Sequence, residues 1–81
     1  MRKVLKFSTK SCGPCKALSA ALEKNPLDVE LVEIDVDTNY EMASKYQIRG
    51  VPTLVLLQGE SEISRVVGTK PVAELQKWVK Q

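Results

Sequence analysis

The chain reads as an α/β protein with the element order β-α-β-α-β-β-α, a four-stranded mixed sheet with helices on both faces. Three observations predict it. Four short apolar runs of strand length fall at residues 3–8, 29–36, 53–57 and 62–67. The stretches after the first, second and fourth runs place apolar residues at helical spacing. Turn and breaker residues separate the segments: Asn25-Pro26, Gly50-Val51-Pro52, Gln58-Gly59-Glu60 and Gly68.

The first strand covers residues 3–8. Leu5 and Phe7 face one way; Val4, Lys6 and Ser8 face the other. A loop, Thr9-Lys10-Ser11, leads to a helix with Ser11 as its N-cap and Leu18, Ala21 and Leu22 on its buried side. Asn25-Pro26 ends it. The second strand, 29–36, carries Glu30 and Glu33, a polarity that suits the edge of a sheet. Asp35 and Asp37 end that strand and lead into a short helix rather than forming a metal pair. Thr38-Asn39-Tyr40-Glu41 has capping-box spacing, and Met42, Ala43 and Tyr46 give the helix its apolar face, with an end near Gln47.

Arg49-Gly50-Val51-Pro52 breaks the pattern. Residues 53–57 are continuously apolar, as a strand buried on both faces requires. A turn at Gln58-Gly59-Glu60 predicts a hairpin to residues 62–67, where Ile63, Arg65 and Val67 share one side. Gly68 closes it. Pro71 opens the last helix in a first-turn position, with Val72, Leu75, Trp78 and Val79 as its buried stripe. The helix between the first two strands makes them parallel, with a right-handed crossover.

The chain has 81 residues, of which 43% are hydrophobic and 27% charged, an ordinary globular balance that predicts one domain over 1–81. A net charge of +2 is too small to argue for nucleic acid or an anionic membrane. The longest apolar run, residues 54–57, is too short for a membrane span, and no secretory h-region follows the basic N-terminus. The expected setting is the reducing cytoplasm, where an isolated cysteine pair is more often catalytic than structural.

That pair is the chemical centre of the sequence. Cys12-Gly13-Pro14-Cys15 holds the only two cysteines. A two-residue spacer at a helix start puts both thiols on one turn, able to close a small ring. A thiol there meets unpaired N–H groups and the positive end of the helix dipole, which favour the nucleophilic thiolate. Pro14 suits a first turn that has no use for its N–H.

Three blander readings weigh less. A stapling disulfide of four residues would contribute only about 2 kcal/mol. A structural zinc needs four Cys or His ligands, and the chain has two cysteines and no histidine. Two inert buried cysteines would not call for Gly-Pro between them.

With these residues in place the sequence resembles the thioredoxin family. The resemblance rests on Cys12-Gly13-Pro14-Cys15 after a short strand, Ile34-Asp35-Val36-Asp37, the segment Tyr46-Gln47-Ile48-Arg49-Gly50-Val51-Pro52-Thr53, and Gly68 before the last helix. It covers nearly the whole chain, in the form of a minimal version of the fold without the extra N-terminal strand and helix of longer thioredoxins.

The resemblance implies a thioredoxin-like fold and a protein-disulfide reductase. Cys12 would be the attacking thiolate and Cys15 the resolving thiol, with Gly13 and Pro14 setting the redox poise. Pro52 would be a cis-proline facing the cysteines, leaving the Val51 backbone free to pair with a substrate segment by strand addition. Gly68 would allow that segment a close approach. The blander readings of Pro52 and Gly68 are a strand-starting proline and a strand terminator. The implied partners are disulfide-containing proteins and a thioredoxin reductase or equivalent electron donor, acting on a monomer. No G-x-G-x-x-G or P-loop is present, so no cofactor is expected.

Two positions depart from the family pattern. Ser11 stands where thioredoxins usually carry tryptophan, which removes a large apolar contact for partners. Lys6 stands where a buried aspartate usually lies under the resolving cysteine. The plainer reading is a snorkelling side chain with its amine in water. The sharper one is a redox-tuning Lys6 near Cys15, acting as a base if desolvated or stabilising the thiolate if charged. Two other functions compete. A glutaredoxin-like, glutathione-dependent oxidoreductase fits the length but not Gly-Pro between the cysteines or Gly68-Thr69-Lys70. A redox-independent protein-binding subunit fits any such fold. A dimer bridging an iron–sulfur cluster is a remote third.

Overall fold

A computed structural model describes residues 1–81. The elements are β1 (Arg2–Ser8), α1 (Gly13–Lys24), β2 (Glu30–Asp35), α2 (Tyr40–Lys45), β3 (Thr53–Gln58), β4 (Ser61–Val67) and α3 (Val72–Trp78). The sheet order is β2-β1-β3-β4. β1 runs parallel to β2, with Lys6 opposite Glu33 and Ser8 opposite Asp35. β3 is antiparallel to β1, with Phe7 opposite Thr53, and β4 is antiparallel to β3. The charged second strand is therefore an edge, and the apolar third strand is central, as its composition demands: Leu54 through Leu57 are at most 2% exposed.

The sheet separates two cores. On one face Val4, Leu54, Leu56 and Val66 pack with Leu18 and Leu22 of α1 and Leu75 and Val79 at the end of α3. On the other, Leu5, Phe7, Ile34, Val55 and Leu57 receive Met42 of α2 and Tyr46, the residue that caps its C-terminus, whose ring lies 5.9 Å from that of Phe7. Trp78 sits at the margin of the larger core, its indole N–H donating to Ser64 Oγ at 3.0 Å.

Several local expectations are corrected. The α1 N-cap is Cys12, not Ser11: the Cys12 sulfur, one residue nearer the helix, takes the first-turn amide. The Thr38 capping box does not form. Asn39 is the cap residue, without a side-chain bond, because Thr38 Oγ1 turns back to Asp35 O at 3.4 Å. α2 stops at Lys45, and Gln47 adopts φ +53. Its N–H reaches Ser44 O, and the Ile48 N–H reaches Ala43 O, a Schellman closure with glutamine in the left-handed position. Pro71 is the N-cap of α3 rather than its first helical residue. In β4 the pairing shifts by one residue opposite Leu56/Leu57, so Ile63 bulges. Val67 is 68% exposed, and Val66, on the other side, enters the core.

At the end of the sheet where β1 begins, the Gly59 N–H donates to Met1 O, and Arg2 Nη1 donates to Val79 O, both at 2.9 Å. At the opposite end the segments 9–12, 50–52 and 68–71 come together, since β1 ends, β3 begins and β4 ends there.

Candidate active site

Cys12 and Cys15 occupy that second end, one at the cap of α1 and one in its first turn. They form a disulfide with Cα atoms 5.2 Å apart, within the range a disulfide accepts without backbone movement. Cys12 has extended backbone angles, φ −90 and ψ 108, and its sulfur accepts the Cys15 N–H at 3.1 Å. The two sulfurs differ in access: Cys15 is 2% exposed, whereas Cys12 is only half-buried. Gly13 and Pro14 are exposed between them. Pro14 fills a first-turn slot where no N–H is needed, and the first turn carries no acid.

The Val51–Pro52 peptide is cis. Phe7 pairs with Thr53, so Pro52 lies beside the end of β1 from which the cysteine loop departs. The Gly68 N–H donates to Pro52 O at 2.8 Å, and Thr53 Oγ1 donates to Gly50 O at 2.6 Å. These bonds fix the segment on both sides of Val51. The Val51 N–H and C=O themselves take part in no backbone hydrogen bond. Gly68 has φ +91 and open space where a Cβ would stand, so its conformation rather than crowding within the chain favours glycine.

Lys6 is where the structure departs furthest from the plain reading of the sequence. Its side chain is 1% exposed. The amine does not reach water: Nζ donates to Ser19 Oγ at 2.6 Å and to Glu33 Oε1 at 3.1 Å, and Ser19 Oγ donates to the same carboxylate oxygen at 3.2 Å. A cleft of about 460 Å3 has Lys6, Ser19, Glu33 and Cys15 among the residues of its walls. The hydrogen bond from Lys6 holds the Glu33 carboxyl below its ordinary value, against the opposing effect of partial burial. The Lys6 charge and the Ser19 hydroxyl add to the lowering. Glu33 and Ser19 were not among the sequence-predicted site residues. Parallel pairing of β1 with β2 sets Lys6 opposite Glu33, and that register is the signal that could have found the pair.

No group of three or more His, Cys, Asp or Glu side chains is placed to hold a metal ion. No helix is long and apolar enough to cross a membrane.

Comparison with known proteins places this geometry in context. A family model for thioredoxin matches residues 1–81. The chain is 43% identical over 70 residues to a bifunctional thioredoxin reductase/thioredoxin of Mycobacterium leprae, covering 79% of this chain and 15% of that one. It is 38% identical over 68 residues to a thioredoxin of Mycobacterium bovis, covering 79% of this chain and 59% of that one. It therefore spans less than two thirds of the length of either relative. Among solved structures, a mutant thioredoxin from Halobacterium salinarum superposes with a TM-score of 0.89 at 34% identity, over 98% of this chain and 72% of that one.

Proposed function

The chain belongs to the thioredoxin family, and from that premise we propose that it is a thiol–disulfide oxidoreductase that reduces disulfides of other proteins. The observation that carries the reading is the asymmetry of the pair: an accessible Cys12 capping α1 and a buried Cys15 one turn in. In the reduced form the Cys15 N–H stabilises a thiolate on Cys12. That thiolate attacks one sulfur of a substrate disulfide, forming a mixed disulfide and expelling the first substrate thiolate, which takes a proton. Cys15, deprotonated, attacks the Cys12 sulfur and expels the second. The substrate gains two electrons and two protons, and the chain is left as the Cys12–Cys15 disulfide.

Gly13 and Pro14 set the poise of that ring. Val51 pairs its free N–H and C=O with an extended substrate segment, Pro52 shapes the platform and Gly68 keeps its edge low. Lys6 tunes the second step. Glu33 holds it in the wall of the cleft that Cys15 also lines, and a cation there favours the attacking thiolate. The electron donor is a thioredoxin reductase or its equivalent. The Mycobacterium leprae relative, whose name joins reductase and thioredoxin in one chain, supports that choice. We further read residues 1–81 as one thioredoxin-like domain acting as a monomer in the cytoplasm.

Turnover of a disulfide-bonded protein such as insulin by the reduced chain tests the reading. Cys12→Ser should abolish reduction, and Cys15→Ser should accumulate the mixed disulfide. Full reduction by Cys12→Ser would overturn the assignment. Lys6→Met should slow release from the mixed disulfide more than its formation. Equal slowing of both steps would remove Lys6 from the mechanism.

A further inference from the structure

The stripe that α1 buries has one polar member. Cys15, Leu18 and Leu22 are its buried residues, and Ser19 falls between them at the spacing of one helical face. Ser19 follows Cys15 by four residues, a separation that sets Cβ atoms about 5–6 Å apart. Helical side chains lean toward the N-terminus, which carries the Ser19 hydroxyl over the turn that holds Cys15. The sheet supplies the other half of the contact. Val4 packs against Leu18 and Leu22, so strand alternation turns Lys6, two residues on, toward the same helix. The Lys6 amine donates to Ser19 Oγ at 2.6 Å, closer than its 3.1 Å bond to Glu33 Oε1.

Ser19 Oγ also donates to Glu33 Oε1 at 3.2 Å, which closes a triangle. Its corners differ in freedom. Glu33 belongs to the edge strand and its side chain is 59% exposed, whereas Ser19 is half-buried on a helix packed against the sheet. Glu33 alone would let the amine follow the carboxylate toward water. Ser19 ties it to the helix, one turn from Cys15.

We propose that Ser19 is a positioning residue for the resolving step. By seating the Lys6 amine beside the turn of Cys15, it favours loss of the Cys15 thiol proton to solvent, and so the attack on the Cys12 sulfur that breaks the bond to the substrate sulfur. The inference rests on the reading of Lys6 as tuning that step and names the residue through which it does so. Other charged groups border the cleft: Lys10 before α1, Lys16 and Glu23 on α1, Glu33 and Asp35 on β2. Lys10, Lys16 and Glu23 are exposed, and Asp35 accepts the Asp37 N–H at 2.9 Å. Of the whole set only Lys6 and Glu33 bond to Ser19. Cys12 is in the mixed disulfide at this stage and does not titrate.

The test follows the reduced chain with dithiobis(nitrobenzoate). Its coloured thiolate is released once when Cys12 forms the mixed disulfide and again when Cys15 resolves it. The first phase depends on reagent concentration and the second does not, so one trace separates the steps. Near neutral pH, Ser19→Ala should slow the second phase by about threefold to tenfold and move its pH profile upward by about 0.5–1 unit, with the first phase kept within about twofold of the parent. Ser19→Thr, which retains a hydroxyl, should restore the parent profile. In a Lys6→Met background Ser19→Ala should alter the second phase no further. A hydroxyl that serves stability alone would lower the urea midpoint and leave the profile in place. That result, or the same shift with Lys6 already replaced, would overturn the positioning role while the first phase left the reductase reading standing. Absence of the first phase in the parent chain would instead remove the reductase reading.

Discussion

The two ion pairs of this molecule stand in opposite settings. Glu62 and Arg65 lie three residues apart on β4, joined at 2.7 and 2.9 Å, with the two side chains 33% and 32% exposed. Lys6 and Glu33 come from strands whose pairing brings together residues 27 apart; the lysine is 1% exposed and the glutamate 59%. In the first pair either partner can turn to water when the other is lost. In the second only the glutamate can. The buried amine depends on Ser19 and Glu33, so the longer bond, 3.1 Å, stands for the larger dependence.

The difference can be broken in order of size. Lys6→Ala removes the buried stem as well as the charge and should destabilise by about 2–4 kcal/mol in urea unfolding. Lys6→Met keeps the volume without the charge and should lie within about 1 kcal/mol of the parent, since apolar replacement of a buried ion is often neutral or stabilising. Equal losses from both variants would mean that the ammonium, not the packed stem, supports this part of the sheet. Glu33→Ala should cost about 1–2 kcal/mol by stranding the amine on Ser19 alone, and Lys6→Met should rescue most of it.

Across the pairs, Arg65→Ala should cost about 1 kcal/mol, because Arg65 also donates to Tyr46 O at 2.9 Å and so ties β4 to the end of α2. Glu62→Ala should stay within about 0.5 kcal/mol. Titration sharpens the contrast further. Both carboxyls are lowered from 4.5, Glu33 chiefly by the hydrogen bond from Lys6 and Glu62 chiefly by that from Arg65. A lowered folded value means that the contribution to stability is present above the unfolded value and lost as pH falls through the folded one. Unfolding curves across that acid range should flatten for each Glu→Gln variant. In about 1 M salt the Glu62 contribution should vanish while that of Glu33 persists. Equal salt sensitivity would erase the distinction between the two pairs.

What the sequence made legible follows the same division between local and non-local. The edge position of β2 was readable from Glu30 and Glu33, and the central β3 from its unbroken apolar run. The dithiol was readable from a four-residue motif, since its geometry is set within one helical turn. The lysine pair was not. Whether Lys6 snorkels or stays inside depends on a carboxylate delivered by another strand and a hydroxyl delivered by α1, and neither is near it in sequence. The helix starts failed for a smaller reason. Ser11 and Cys12, or Thr38 and Asn39, offer competing caps one residue apart, and the choice falls to sulfur geometry in one case and to an Asp35 turn in the other.

The bond from Gly59 to Met1 and the bond from the Arg2 side chain to Val79 O anchor the first and last stretches of the chain at the pole opposite the dithiol. A tether, a bead or a fused protein attached through either terminus would therefore pull on the same pole and leave the reacting pole facing outward. Immobilised by one end or the other, the molecule would present the same orientation to whatever flows past it.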